Sequence, residues 1–280
     1  MFDTALGPGE RSGIQNAATG VPPRTEDLRP ILGAVERATE RLIDIARQLD
    51  DDALQRPSLL PGWTRAHVLA HLARNADGLV NLLVWARTGV EHAMYASAAD
   101  RDADIEEGAT RGQWLLLEDL GASSARFADA VRAMPERAWS AEVVSDEPVP
   151  AHDIPRMRLR ELRVHSVDLD HDFGFGDIPA PELEQVLEDV VQEFGGREDV
   201  PALSLTAWFR DGRGDDGRGE DGRGENGDGK SGHHRQWDLR ATTSPPHRVS
   251  GPAEALLGWL LGRAGTDELE GEVPELPPWL

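Results

Sequence analysis

A helical bundle followed by a smaller α+β region is the fold class this sequence predicts, and three observations predict it. Apolar residues recur with the 3.6-residue period of a helix through residues 26–196. Near residue 200 the composition turns to that of strands. Between two strand-like runs lies a Gly/Asp/Arg repeat with almost no apolar side chain. Such a repeat cannot bury enough surface to offset its ordering entropy, so it reads as a disordered loop rather than a third layer.

The elements follow in order. Leu28, Ile31, Leu32, Val35, Ala38, Leu42 and Ile45 form one apolar stripe behind Thr25-Glu26-Asp27, and this is the first helix. Pro57 and Pro61 then break the chain. A long helix spans 64–88, with Thr64 as N-cap and Gly89 as stop. Ser97-Ala98-Ala99-Asp100 has the form of a capping box and opens a short helix. Residues 110–134 give another amphipathic stretch, which ends before Pro135. Pro148, Pro150 and Pro155 mark a loop. The next helix carries Glu161 and His165, and 181–194 forms one more, closed by Gly195-Gly196. Residues 202–209 and 236–242 have strand composition, and 253–261 is a last amphipathic helix. The predicted organisation is a disordered tail over 1–24, a helical bundle over 25–175 and an α+β domain over 176–280, interrupted by the disordered insert at about 211–234.

Two of these helices carry the candidate chemistry. Glu161 and His165 stand at i and i+4, so one face of one helix can offer both to a single ion. Taken alone, such a pair is a solvated contact worth about a few tenths of a kcal/mol. Its stripe, however, includes Ile154 and is flanked by Leu162 and Leu169, so it points partly inward, where an unpaired carboxylate is costly. Asp168 and Asp172 extend the stripe as rival ligands, but they sit nearer the helix end and are expected to be exposed. The third ligand comes from the helix after Trp63. Val68, Leu72, Leu79 and Leu83 define its buried face, and at about 100° per residue His71 lies closer to that face than His67. His71 is therefore the expected ligand, and His67 an exposed first-turn residue or a partner behind the ligands. Two imidazoles and a carboxylate with one open position form the ligand set of a catalytic zinc. Arg101 and Arg263 read either as surface arginines or as guanidinium forks for a substrate carboxylate.

Composition removes other classes. With 51 acidic against 29 basic residues and a formal charge of -22, the chain is a poor nucleic-acid binder. No apolar run is long enough for a membrane helix, and residues 1–24 have no signal-peptide pattern, so a cytoplasmic protein is expected. There is no cysteine, which excludes disulfides, thiolate metal sites and an endogenous thiol nucleophile. Walker, Rossmann and nucleophile-elbow glycine patterns are absent.

Several motifs resemble the mycothiol-dependent maleylpyruvate isomerases, within the DinB-like metal-binding four-helix-bundle superfamily. They are Leu60-Pro61-Gly62-Trp63-Thr64-Arg65 with His67 and His71, and Asn81-Leu82 through Trp85-Ala86 to Thr88-Gly89 and Glu91. Met94-Tyr95 with Arg101, then Arg160-Glu161 with His165 and Asp168-Leu169, continue the match. Phe175-Gly176-Asp177-Ile178-Pro179 and the tail from Gly271 to Trp279-Leu280 complete it. The resemblance covers about 25–280 apart from the insert. It implies a DinB-like four-helix bundle with zinc on His71, Glu161 and His165, and substrate carboxylates on Arg101 and Arg263. It also implies mycothiol as the borrowed thiol and cis-to-trans isomerisation of maleylpyruvate to fumarylpyruvate in gentisate breakdown. Zinc would hold the mycothiol sulfur as thiolate, which adds to the double bond, lets it rotate and leaves. The expected partners are mycothiol and a small dicarboxylate, with no nucleic acid and no membrane, and the expected state is a monomer. Two other functions fit the same site: a mycothiol-dependent S-transferase for other electrophiles, and a non-enzymatic zinc-binding or thiol-sensing module.

Overall fold

The computed structural model describes residues 24–145, 147–209, 233–240 and 245–279. The expected tail over 1–24, apart from Arg24, and the insert up to residue 232 lie outside the described residues.

Four long helices make a ring: α1 (Arg29–Ala46), α3 (Arg65–Thr88), α5 (Gln113–Arg132) and α6 (Ile154–Asp168). α3 packs on α5 and α6, and α1 packs on the same two, so each helix touches two neighbours of the bundle. Short α2 (Asp51–Leu54) joins α1 to α3, and α4 (Ala98–Ala109) lies against α3. Leu42, Ile45, Leu72, Leu79, Leu82, Leu120 and Leu162 are fully buried between the four helices.

The ends of α3 follow from its caps. Thr64 accepts from the His67 backbone N–H, and His67 Nδ1 accepts from the Thr64 N–H at 3.2 Å, which closes a capping box. Gly89 terminates the helix at φ 73°, a left-handed conformation that costs glycine little. Ser97 caps α4 by accepting from the Asp100 N–H at 3.0 Å.

Beyond the bundle, α7 (Ala180–Gly195) and α8 (Ala253–Leu260) cover one face of a small mixed sheet. Its order is β4 (His234–Leu239), β3 (Leu203–Trp208), β5 (His247–Pro252), β6 (Glu270–Gly271). β3 pairs antiparallel with β4 and parallel with β5. The buried-intermediate alternation along β3 puts Leu203, Leu205 and Ala207 on the helix side. The Arg163 Nε–Glu182 Oε2 bond, 2.7 Å and buried, ties α6 to α7. No helix among the described residues is long and apolar enough to cross a membrane.

Two expectations need correction. The proline-rich segment before α6 is not only a loop, because Glu142–Val144 (β1) and Pro148–Pro150 (β2) form an antiparallel pair. Pro148 and Pro150 are tolerated because this pair is two strands wide, so each strand is an edge. Pro155 belongs to α6, in its first turn, where a missing N–H costs no helical bond.

Candidate metal centre

The segment before α3 sets the site. Gly62 turns at φ 81°, and the Leu59 N–H donates to the Asp168 carbonyl at 3.0 Å. Arg65 Nη2 reaches the Asp170 carbonyl at 2.6 Å. The start of α3 is thus fastened to the end of α6, and nearly two turns further on His71 faces Glu161 and His165. His71 Nε2 lies 2.9 Å from Glu161 Oε2, and His165 Nε2 lies 3.5 Å from the same oxygen. One donor atom from each of the three residues falls within 4.8 Å of the others. Ring centroids of the two histidines are 4.7 Å apart, and the Trp63 ring stands 5.5 Å from His71.

This environment sets the protonation states. Burial pushes the His71 pKa down, with the Glu161 hydrogen bond opposing. Burial would raise the Glu161 pKa, but hydrogen bonds to His165 and His71 outweigh it and hold the carboxylate well below its usual range. Burial likewise opposes a charge on His165, yet Asp168 and Glu161 lift its pKa to about 9.

Asp168 behaves differently from the exposed residue expected at a helix end. It is fully buried, and its Oδ2 lies 2.8 Å from His165 Nδ1. Arg263 grips it from the other side, with Nε–Oδ1 at 2.9 Å and Nη2–Oδ2 at 3.2 Å. Hydrogen bonds with His165 and Arg263 override the burial that would raise the Asp168 pKa and bring it below the ordinary value. Asp168 is therefore not a rival ligand. It is the carboxylate behind His165, and it leaves Nε2 turned to the site. Asp172, the other rival, is exposed on its side chain and is not among the residues whose donor atoms converge with the triad.

The remaining candidates are placed as follows. His67 is a capping residue stacked beside Trp63 at 6.2 Å, and its Nε2 meets Glu106 at 3.4 Å. Arg101 is 39% exposed on its side chain, pairs with Asp102 at 2.9 Å and stands 6.0 Å from the Tyr95 ring centroid. Arg263 is buried, with its fork on Asp168 and its guanidinium 5.6 Å from the ring of Trp279, which folds over it from the tail. Sequence reasoning gave Tyr95, Asn75 and Arg158 no role, yet Asn75 and Arg158 are buried beside the triad and Tyr95 lies half-buried against them. Their signal was present: Asn75 is four residues after His71, and Arg158 three before Glu161.

The donor set suits a divalent ion. Neutral His71, ionised Glu161 and an oriented His165 could offer three donors to one ion, and His71 Nδ1 is buried with no hydrogen-bond partner. Asp168 and Glu161 favour the protonated form of His165, and a protonated imidazole must shed its proton to ligate. Loading a divalent ion at pH 7.5 is therefore expected to release about one proton. Calorimetry in buffers of different ionisation enthalpy measures it, and loading without proton release would contradict a protonated His165 in the metal-free state.

A helical bundle that gathers two imidazoles and a carboxylate from facing helices has the donor arrangement of a metal-binding bundle. The family model for the mycothiol maleylpyruvate isomerase N-terminal domain matches residues 35–170. Two solved structures are similar over 92% of this chain and 100% of theirs. One is a mycothiol-dependent maleylpyruvate isomerase at 31% identity and TM-score 0.72. The other is a histidine-to-alanine mutant of a mycothiol-dependent maleylpyruvate isomerase at 30% identity and TM-score 0.75. No curated protein matches significantly. The chain belongs to the mycothiol-dependent maleylpyruvate isomerase family.

Proposed function

We propose that this protein is a cytoplasmic, monomeric isomerase that converts maleylpyruvate to fumarylpyruvate with mycothiol as co-reactant, a step of gentisate breakdown. The observation that carries the reading is the buried His71–Glu161–His165 cluster in a chain of this family that has no cysteine of its own. Zinc fits the triad, and zinc and mycothiol together supply the activated sulfur nucleophile the chain lacks.

The chain's own residues do the rest. Burial of His71, and hydrogen bonding of Glu161, keep one imidazole neutral and the carboxylate ionised, ready to ligate. Asp168 holds the His165 ring, and Arg263 holds Asp168. Arg101 is the cation open to solvent beside the site and receives a substrate carboxylate. Arg263, whose fork is engaged by Asp168 and whose guanidinium lies against the Trp279 ring, acts through Asp168.

The test is turnover by metal-loaded protein with and without mycothiol. No turnover is expected without the thiol, with recovery on its addition. Arg101→Lys keeps the charge but loses the bidentate fork, and is expected to retain metal while losing on the order of 10²-fold in activity. Thiol-independent turnover would overturn the reading, and an unimpaired Arg101→Lys enzyme would remove Arg101 from the site.

A further inference from the structure

We infer that Tyr95 is a catalytic residue whose phenol donates a hydrogen bond to the substrate carbonyl oxygen conjugated with the isomerising double bond. The inference rests on the isomerase reading above and adds a group to its machinery.

The first ground is placement. His71, Asn75, Gly78 and Leu82 follow one another at i, i+4, i+7 and i+11 along α3, so they share a face. The segment between α3 and α4 crosses this face at Gly78. A Cβ there would meet Met94 Cγ at 2.8 Å, the Met94 carbonyl at 3.2 Å and Tyr95 Cε1 at 3.2 Å. Only the missing side chain lets Tyr95 lie so close to α3. Asn81 Nδ2 donates to the Met94 carbonyl at 3.3 Å and fixes the same segment. The phenol meets the side chain of Asn75, one turn from His71, and lies within reach of the Glu161 and Arg101 charges. Arg101 also acts on His71, so phenol, guanidinium and triad occupy one place.

The second ground is a surplus of donors. Arg158 is 1% exposed and donates Nη1 to the Leu72 carbonyl at 2.8 Å and to Asn75 Oδ1 at 2.9 Å. The Asn75 hydrogen bond pulls the Tyr95 pKa down, as a donor to the phenol oxygen does, so the Asn75 amide N–H faces that oxygen. The phenol O–H is then left to donate elsewhere. Arg158 Nη2 is buried in the same layer with no partner at all. A buried donor without an acceptor is costly, and a layer that keeps one suits an acceptor that arrives with the substrate. Burial pushes the Tyr95 pKa up to about 12, with the Glu161 charge adding to it, so the phenol keeps its proton.

The chemistry needs such a donor. A double bond turns only while its π pair is held elsewhere. The lone pair of an external thiol nucleophile forms a bond to the alkene carbon far from the ketone, and the π pair moves onto the conjugated carbonyl oxygen. The carbon–carbon link turns as a single bond. Return of the pair re-forms the double bond and releases the nucleophile unchanged. Tyr95 strengthens its hydrogen bond while the oxygen is charged and neither loses nor gains a proton.

Tyr95 is the sole tyrosine of the chain, which makes the test direct. Tyr95→Phe in the metal-loaded, mycothiol-supplied enzyme is expected to lower kcat on the order of 10²-fold. KM, metal content and the unfolding temperature are expected to stay near wild type. Biosynthetic 3-fluorotyrosine places one fluorine label, at this position. Its resonance is expected to shift when the saturated diketo-diacid analogue of maleylpyruvate is added, and to shift less with the analogue whose conjugated ketone is reduced to an alcohol. Wild-type turnover with an undiminished Tyr95→Phe enzyme, or no shift at analogue saturation, overturns the role of Tyr95 alone. A wild-type enzyme that does not turn over maleylpyruvate overturns the isomerase reading and this inference with it.

Discussion

His71→Ala and His165→Ala are each expected to abolish stoichiometric metal binding and to lower activity by at least on the order of 10³-fold, ~4 kcal/mol of barrier. Each variant leaves two protein ligands where a catalytic zinc uses three. The matched control is His67→Ala, four residues earlier on the same helix. His67 closes the N-terminal capping box of α3 and contributes no ligand. Its loss should cost on the order of 1 kcal/mol of stability and leave the metal in place. The two histidines therefore predict opposite signatures: metal lost in one variant, melting temperature lowered in the other. Metal analysis and thermal unfolding of both proteins decide it. Full occupancy in His71→Ala or His165→Ala would sink the ligand assignment.

How far this was legible in the sequence depends on how local each determinant is. The ends of α3 are written beside it, in Thr64 and Gly89, and they emerge where the caps put them. The juxtaposition of Glu161 with His165 needs only helix geometry. Asp168 shows the limit. Its place on the stripe was readable, but its burial depends on Arg263, 95 residues downstream and past the sheet. No local rule links those two side chains, so a carboxylate at a helix end reads as exposed. β5 was missed for a similar reason: its neighbour β3 pairs with it in parallel, through a long connection, and its own Gly251 and Pro252 hide the strand pattern. Tyr95 was visible only as part of a motif. Its role depends on Gly78 admitting the segment that carries it, a contact without any periodic trace.

Asp168→Asn is expected to weaken metal binding by about 10- to 100-fold, the usual loss when the group behind a histidine ligand is altered. Asparagine keeps the shape and can still accept from His165 Nδ1, but it removes the charge. Arg263, 5% exposed on its side chain, then remains buried with its counter-charge gone. Removing one partner of a buried pair costs about 3–5 kcal/mol, so a large fall in melting temperature accompanies the lost affinity. The pH dependence has a definite sign. The folded Asp168 pKa is depressed, so its contribution is present above the ordinary carboxylate value of ~3.9 and is lost as pH falls through the lower folded value. The His165 pKa is raised, so in the metal-free protein its contribution is full below about 6.5 and is lost as pH rises through about 9. Both limbs should flatten in Asp168→Asn. Asp172→Asn is the control, since that side chain is 76% exposed and should change neither affinity nor melting temperature. Chelator competition and pH-resolved thermal unfolding separate the two carboxylates. An Asp168→Asn protein with wild-type metal affinity and an unchanged stability profile would show that His165 holds its orientation without Asp168.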